Sequence, residues 1–321
     1  MKIARSVRTL FEECDALYQR LAADVNGRLK PRAEQKQWFF ISRVKALESY
    51  ALKLETGRVS DPRRPEDFFA CTIVVPTLSQ IEEAERLVTE IYPLQIRRPA
   101  SDGKTHKQAS NFQFDDLRLY VQQPESSTGR DADLDGLPFE VQIKTILQHA
   151  WGVATHDLIY KSDRVSWARE RIAYQVKAML EHAEIAIAQA EKLADAPGVA
   201  KVDQITADTA RLLHELNAKW SEDQLPRDRK RLADTILQLL RLCGKKADQF
   251  REIIDAEQKR LSVLPADLSP YAFTLQALAN ASDVELKKKL AETRNRTSIF
   301  VHGNMELPAW MADPNPKIIR T

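Results

Sequence analysis

Glycine is scarce in this chain, with nine residues among 321. The sequence contains no glycine-rich loop of the kinds that hold phosphates in P-loop proteins and in dinucleotide-binding domains. Side chains, rather than backbone N–H groups, would therefore have to bind any phosphate. No apolar run approaches the 18 or so residues that a membrane-spanning helix needs, so no membrane partner is expected. The N-terminus has charges where a secretion signal needs an apolar core, which favours a cytoplasmic location.

Cysteine and excess charge are also nearly absent. The three cysteines, Cys14, Cys71 and Cys243, are far apart in the sequence, which excludes a zinc site built from CxxC pairs and predicts three buried thiols. The 48 basic and 46 acidic residues leave a net charge of only +2. A general nucleic-acid-binding surface is therefore not indicated, and any basic site must be local.

Apolar periodicity is well developed in the first half of the chain, which is 43% apolar overall. It predicts helices and strands in the order α-α-β-α-β-β-β-α, with a single strand–helix–strand crossover. We therefore expect an α+β fold in which helices flank a small mixed β-sheet. The predicted helices cover 3–26, 33–56, 79–92 and 145–160, and the predicted strands cover 70–75, 94–98, 113–122 and 139–144.

The second half predicts almost nothing but helices, at 164–194, 203–218, 226–261 and 282–294. Pro197 and Gly198 mark a linker over 195–202. We expect an α+β domain over 1–162, an all-helical extension over 163–295 and an irregular tail over 296–321. The helical extension could serve regulation, formation of a homo-oligomer or binding of a partner.

The segment 139–161 (FEVQIKTILQHAWGVATHDLIYK) concentrates polar side chains at a predicted strand–helix junction. Alternation along a strand places an acid, an amide and a cation on one face. Helical spacing then aligns two imidazoles and a phenol on the helix that follows. The residues are Glu140, Gln142, Lys144, His149, His156 and Tyr160. The pattern alone is equally compatible with a solvated strand face followed by two surface histidines.

Two further features could complete a phosphate site. Lys45, Ser49 and Lys53 are spaced by four on the predicted second helix, with Arg43 half a turn away, and could hold a triphosphate. A solvated basic helix face is the alternative. Asp67 precedes the strand at 70–75, a place where a carboxylate can bind Mg²⁺, and Glu140 would join it if the two strands are neighbours.

The three segments, taken together, resemble the synthetase region of RelA/SpoT proteins. Residues 42–53 resemble its R-x-K-x-x-x-S-x-x-x-K pattern, residues 67–75 its D-x-x-G-x-R pattern, and residues 139–161 its E-x-Q-I-R-T…H-x-W-A…H-x-x-x-Y-K pattern. The resemblance covers about 35–162. It implies an enzyme that uses Mg²⁺ and moves the β,γ-pyrophosphate of ATP onto the 3′-hydroxyl of an acceptor nucleotide.

The resemblance also implies roles for individual residues. Arg43 would lie against adenine, while Lys45, Ser49 and Lys53 would contact the ATP phosphates. Asp67 would bind Mg²⁺, and Glu140 would share the metal or accept the proton of the acceptor hydroxyl. The residues expected on the acceptor side are Phe112, Gln142, Lys144, His149, His156 and Tyr160.

Departures from the family pattern are concentrated on the acceptor side. Ala70 and Thr72 replace a glycine and an arginine, and Lys144 replaces an arginine. The family stretch G-Y-x-S-x-H corresponds here to residues 110–116 (SNFQFDD). Phe112 could still stack on a base, but Asp116 stands where a histidine is expected and would repel a 5′-phosphate.

Three functional hypotheses follow. The chain could make a ppGpp- or ppApp-like alarmone from GDP, GTP or an adenine nucleotide. It could instead pyrophosphorylate the 3′ end of tRNA, as toxic relatives of this family do, and the basic residues Arg97, Arg98, Lys104 and Lys107 suit so large an acceptor. It could also be a degenerate nucleotide-sensing module, against which the acidic Asp67 and Glu140 argue. No hydrolysis of alarmones is expected, because no histidine precedes Arg43.

Overall fold

The chain folds into two compact units, residues 1–199 and 200–321, with the division inside the predicted linker. The computed structural model describes residues 2–57, 61–101, 116–125, 132–159, 166–262, 265, 267–281, 286–292 and 297–320, with the side chains of the fourth range described to residue 155. The predicted domain limits at 162 and 295 concern independent folding and stay a prediction. No helix among these residues is long and apolar enough to cross a membrane.

The first unit is an α+β unit, as predicted. Its helices are α1 (Arg5–Gln35), α2 (Leu47–Glu55), α3 (Ile81–Thr89), α4 (Ile146–Ile159), α5 (Trp167–Ala188) and α6 (Ala190–Ala194). Its strands are β1 (Phe39–Val44), β2 (Phe69–Val75), β3 (Leu94–Arg98), β4 (Leu117–Gln122) and β5 (Pro138–Thr145). The single helix predicted over 164–194 is thus interrupted at Gln189, between α5 and α6.

Helix α1 is longer than predicted, because it continues through Asn26, Gly27 and Pro31. The apolar period runs past these breakers and buries one side of the helix along its whole length. Packing of that side outweighs the poor helix propensity of the three residues. The helix ends where Gln37 adopts a left-handed conformation with φ of 60°. The buried residues are Cys14, Tyr18, Leu21, Ala22, Val25, Leu29 and Ala33.

The predicted second helix over 33–56 is wrong. Its first part is the end of α1, its middle is strand β1, and only Leu47–Glu55 is helical. Two phenylalanines and two β-branched residues in FFISRV favour an extended chain. The turn at Gln37 leads into β1, which pairs antiparallel with β2. A strand missing from the sequence prediction therefore forms one edge of the sheet.

The five strands form a mixed sheet in the order β1-β2-β5-β4-β3. Strands β2 and β5 are parallel, and the other neighbouring pairs are antiparallel. One face of the sheet packs into an apolar core with α1 and α3. Burying each large apolar side chain contributes about 1.5–3 kcal/mol, so this face is firmly anchored. Its buried residues include Cys71, Ile73, Val75, Leu117, Leu119, Val121, Phe139, Val141 and Ile143.

The second unit is mainly helical. It contains α7 (Gln204–Lys219), α8 (Arg229–Leu242), α9 (Phe250–Leu261), α10 (Pro270–Asn280), α11 (Leu286–Ala291), and the parallel strands β6 (Ile299–Val301) and β7 (Ile318–Arg320). The helix predicted over 226–261 is two helices, because Gly244 has a φ of 69°. Helix α10 was not predicted. Cys243 is only half-buried, whereas Cys14 and Cys71 are buried as expected.

The tail predicted to be irregular is part of the second core. Ile299, Val301 and Ile318 are buried in β6 and β7, and Met305 and Met311 pack with them. Three-residue strands lie below the length at which alternation can be recognised in a sequence. The prediction failed because β6 and β7 form by pairing with each other, and each is too short to show alternation in its own sequence.

Candidate functional site

The sheet face opposite the apolar core carries the polar residues of β5. Glu140, Gln142 and Lys144 alternate with the buried Val141 and Ile143, as predicted. Each lies in register with residues of the neighbouring strands. One row across the sheet is Arg43, Ala70, Glu140 and Tyr120; the next is Ile41, Thr72, Gln142, Arg118 and Arg98; a third is Phe39, Val74 and Lys144.

Arg43 reaches this face from β1, not from a helix as predicted. Its neighbour Ala70 lies between it and Glu140, so the backbones of Arg43 and Glu140 are about 10 Å apart. The Arg43 side chain is exposed on the edge strand. Ala70 is itself buried, and it separates the cation from the acid in this row of the sheet.

Lys45 and Lys53 are brought together by Asp67. The ammonium Nζ of Lys45 donates to Asp67 Oδ2 at 2.6 Å, and Nζ of Lys53 lies 2.7 Å from Asp67 Oδ1. Lys45 sits in the connection between β1 and α2, where its backbone N–H donates to the carbonyl of Phe68 at 2.7 Å. The three side chains are 9%, 27% and 20% exposed respectively, so this donor cluster of Lys45, Lys53 and Asp67 is largely desolvated.

Burial shifts the pKa values within the donor cluster. It lowers the pKa of Lys45 by more than the hydrogen bond and charge of Asp67 raise it. For Asp67, burial acts to raise the pKa, but the ammonium groups of Lys45 and Lys53 outweigh it, so the pKa of Asp67 lies below its usual value. The cluster thus holds an ionised carboxylate between two cations.

Ser49 does not join the donor cluster. It lies exposed on α2, two turns before the helix ends. The predicted single helical face of Lys45, Ser49 and Lys53 is wrong, because Lys45 precedes α2. The two lysines nevertheless converge, because the carboxylate that they share lies at the start of β2. Whether Ser49 contacts a ligand stays a prediction.

Glu140 is the buried acid of the face, with 5% of its surface exposed. Gln142 donates a side-chain hydrogen bond to it. Tyr120 lies directly across on β4, and burial followed by the nearby Glu140 carboxylate raises the pKa of that phenol. Arg98 of β3 stacks on the Tyr120 ring, with its guanidinium carbon 5.0 Å from the ring centroid. Glu140 is therefore surrounded by polar side chains that are held by their own contacts.

A second carboxylate, Asp116, lies just before β4 and is also held by two cations. Arg118 Nε donates to Asp116 Oδ2 at 3.2 Å, and Lys144 Nζ lies 3.5 Å from the same oxygen. Burial lowers the pKa of Arg118, but Asp116 and Glu140 outweigh it and raise that pKa above its usual value. We call Asp116, Arg118 and Lys144 the acceptor-side cluster.

Arg118 and Tyr120 were missed by the sequence prediction. Both lie in LRLYVQ, residues 117–122, where polar and apolar residues alternate. That alternation identifies a strand with one polar face, but it does not identify the neighbouring strand. The pairing of Arg118 with Gln142 and of Tyr120 with Glu140 supplies that information.

The junction of β5 and α4 is fixed by a buried polar network. The Thr145 hydroxyl donates to the Glu184 carboxylate of α5, and Gln148 donates to the other Glu184 oxygen at 3.4 Å. Burial raises the pKa of Glu184. Trp151 donates from its indole nitrogen to the carbonyl of Ala173 at 2.8 Å. These bonds tie α5 to the chain immediately after Lys144.

Of the predicted helix residues, only His149 has a described side chain. It is half-buried on α4, and burial followed by the charge of Lys144 lowers its pKa. The His156 side chain, Tyr160 and Phe112 lie outside the described residues, as do Lys104 and Lys107. The structure therefore brings Asp67 together with Lys45 and Lys53, and Glu140 together with Gln142. The roles predicted for the site residues stay predictions.

The residues present fit a magnesium ion supported by a substrate. Asp67 and Glu140 are both oxygen donors. Glu140 lies on β5, and Asp67 precedes the neighbouring parallel strand β2, three residues before the partner of Glu140. Mg²⁺ is usually held by one or two carboxylates together with phosphate oxygens and water. No cluster of three His, Cys, Asp or Glu side chains occurs among the described residues, so substrate oxygens would have to complete the shell.

The chain is similar to a known protein family and to several solved structures. Residues 42–165 match the family model described as "Region found in RelA / SpoT proteins". Among solved structures, small alarmone synthetase 1 from Bacillus subtilis is 16% identical, with a TM-score of 0.47 over 58% of this chain and 98% of that chain. No curated protein matches the chain.

Two further solved structures are similar over the same extent. Small alarmone synthetase 1 from Bacillus subtilis bound to its product pppGpp is 15% identical, with a TM-score of 0.46 over 56% of this chain and 95% of that chain. A GTP pyrophosphokinase family protein from Streptococcus pneumoniae is 16% identical, with a TM-score of 0.43 over 58% of this chain and 93% of that chain.

Proposed function

We propose that the RelA/SpoT region of this chain, residues 42–165, is a nucleotide pyrophosphokinase that uses ATP as donor. The reaction transfers the β,γ-pyrophosphate of ATP to the 3′-hydroxyl of a nucleotide and makes a (p)ppGpp- or ppApp-like product. The observation that carries the proposal is the donor cluster, whose Asp67 precedes the strand that pairs with the strand of Glu140. Two desolvated ammonium groups converge there on one carboxylate, in a chain that has no glycine-rich phosphate loop.

Lys45 and Lys53 would bind the ATP phosphates. Each now contacts Asp67, and a triphosphate that enters between them offers more negative charge than one carboxylate does. Their low exposure strengthens the attraction, since desolvated charges are screened less by water. Arg43, at the edge of the same face, would stack on the adenine through its planar guanidinium.

Glu140 would receive the proton of the acceptor. In the proposed step, the 3′-hydroxyl oxygen forms a bond to the β-phosphorus of ATP while the bond from that phosphorus to the α,β-bridging oxygen breaks. AMP leaves with the bridging oxygen, and the hydroxyl proton passes to the Glu140 carboxylate. Phosphoryl-type transfers of this kind depend mainly on alignment and on neutralised charge.

Mg²⁺ fits the same arrangement. Asp67 and Glu140 would hold it, and the ion would supply positive charge against the phosphates when it is bound. Lys45 and Lys53 would add the positive charge of their ammonium groups to the same site. Every charged residue of the donor cluster then has a proposed role, in binding either the metal ion or the phosphates.

The test is a transfer assay with the full chain, Mg²⁺ and γ-labelled ATP, with GDP, GTP, AMP and bulk tRNA offered in separate reactions. Label in a guanine or adenine nucleotide supports the alarmone synthetase, and label in tRNA supports a pyrophosphokinase that acts on tRNA 3′ ends. ATP binding without transfer to any acceptor would leave only a nucleotide-sensing module and would reject the enzyme.

The Glu140→Gln variant sharpens this assay. Removing a general base lowers a rate by about 10²- to 10⁴-fold, while the isosteric amide keeps the buried volume. We expect transfer to fall by that factor and ATP affinity to stay within threefold of the wild type, as measured by calorimetry. Gln142→Glu is a matched control, because it places an acid one pair along the same strand and should not restore transfer to Glu140→Gln.

A further inference from the structure

The acceptor side of the face contains cations that are already engaged. Arg98, Arg118 and Lys144 project from β3, β4 and β5, beyond Glu140 as seen from the donor cluster. Arg118 and Lys144 both contact Asp116, and Asp116 is itself only 12% exposed. An anionic group of an acceptor therefore meets two cations whose charge is partly cancelled.

The charges of this region set a limit on what can bind there. Among the residues that the structure describes, three cations accompany two carboxylates, Asp116 and Glu140, on this part of the face, so their excess positive charge is small. On the donor side, by contrast, Lys45, Lys53 and Arg43 accompany a single carboxylate, Asp67, which both lysines contact. A 5′-di- or triphosphate on the acceptor would bring several negative charges to a place with little positive charge to spare.

We propose that Asp116 is a specificity-determining residue that restricts the acceptor to a nucleoside carrying a single phosphate on its 5′ oxygen. This inference rests on the proposed function. Two sources share that chemistry, namely a free nucleoside 5′-monophosphate and the 3′-terminal nucleoside of an RNA chain, where the phosphate is a diester. Asp116 acts by holding Arg118 and Lys144 and by repelling additional phosphate charge. Arg98, stacked on Tyr120, remains to meet the single phosphate.

The experiment compares kcat/KM for GMP, GDP, GTP and a short RNA with a free 3′-hydroxyl, in the wild type and in Asp116→Asn. We expect the wild type to favour GMP or the RNA over GTP. The asparagine variant should shift the GTP-to-GMP ratio toward GTP by about tenfold, the size of one added charge contact. Preference for GMP over RNA, or the reverse, distinguishes the two sources. An unchanged ratio overturns the proposal.

Two controls distinguish the role of Asp116 from the proposed pyrophosphokinase activity. Asp133→Asn removes another ion-paired carboxylate of the same unit, which pairs with Arg20 at the surface away from the sheet face, and should leave the ratio unchanged. If the wild type transfers to no acceptor, the proposed function fails, but Asp116 is still testable through binding. Fluorescence titration with GMP and GTP, without ATP, must then show the same tenfold shift in the Kd ratio, and its absence overturns the role of Asp116.

A second variant guards against a local rearrangement. Asp116→Ser removes the charge and shortens the side chain, so any effect of the asparagine amide on Arg118 is absent. Both variants should shift the ratio in the same direction. A shift in only one of them would assign the effect to side-chain shape and would reject the charge argument.

Discussion

The two ends of the polar sheet face are built alike and differ in the lengths of their ion pairs. Each has one carboxylate between two cations: Asp67 with Lys45 and Lys53 in the donor cluster, and Asp116 with Arg118 and Lys144 in the acceptor-side cluster. The donor contacts measure 2.6 and 2.7 Å, whereas the acceptor-side contacts measure 3.2 and 3.5 Å.

The exposure of one cation accompanies this difference. Lys45 is 9% exposed, while Arg118 is 43% exposed; the carboxylates have the opposite order, with Asp67 20% and Asp116 12% exposed. Buried charges lose much when a partner is removed, whereas exposed pairs exchange easily with ions and water. We therefore expect the pair of Lys45 and Asp67 to tolerate the loss of a partner less well than the pair of Arg118 and Asp116.

Removing the carboxylate charge from each cluster in turn tests this comparison, and the largest expected effect is on stability. Asp67→Asn leaves the buried Lys45 without its counter-charge, and we expect the first unit to lose about 3 kcal/mol of unfolding free energy. Hydrogen exchange of the β2 and β5 amides would measure it. Asp116→Asn is the matched change at the acceptor-side cluster, where the ion pairs are longer and Arg118 is 43% exposed, and it should cost less than about 1 kcal/mol. Equal losses in the two variants would show that the exposure of Arg118 and the longer ion pairs do not weaken the acceptor-side cluster.

The same comparison explains how far the sequence could predict the site. Periodicity identified β2, β5 and the shared face of Glu140, Gln142 and Lys144, because alternation is a property of the strand itself. It could not identify β1, since WFFISRV follows directly on a long helix without a glycine or proline between them. Nor could it bring Arg118 beside Lys144, because strand order depends on packing between distant segments.

The helical spacing predicted Lys45 and Lys53 on one helix face, and the family resemblance predicted that both contact the same ligand. Lys45 and Lys53 do converge, but through a strand, a turn and a helix that position them around Asp67. A spacing of eight residues is compatible with both arrangements. The resemblance rests on residue types along the sequence. The geometry that brings Lys45 and Lys53 together around Asp67 is seen only in the folded structure.

The next largest effect is expected on ligand affinity. Lys45→Met and Lys53→Gln should each weaken binding of a non-hydrolysable ATP analogue by about 10- to 100-fold, because a charge-assisted contact contributes roughly 1.5–3 kcal/mol. Lys144→Gln should leave that Kd unchanged and raise only the KM of the acceptor. Calorimetry and steady-state kinetics measure the two quantities. A loss of ATP affinity in Lys144→Gln would mean that both clusters serve the donor.

The smallest effect concerns pH and distinguishes Lys45 from an ordinary surface lysine. Burial lowers the pKa of Lys45 in the free protein, so this side chain loses its proton, as pH rises, before a lysine near its usual value of about 10.4 does. Binding of the phosphates requires the charged form. The Kd for the ATP analogue should therefore increase with pH above the pKa of Lys45, by at most about tenfold per pH unit.

Replacing each lysine by arginine tests which group causes this alkaline loss. Arginine stays charged throughout the range, so Lys45→Arg should make the increase in Kd smaller, whereas Lys53→Arg, which keeps Lys45, should retain it. If Lys45→Arg binds the analogue weakly at every pH, the slope of log Kd against pH still decides the point, because the slope depends on titration and not on fit. A slope equal to that of the wild type would show that Lys45 is not the titrating group and that burial in the donor cluster does not govern ATP binding.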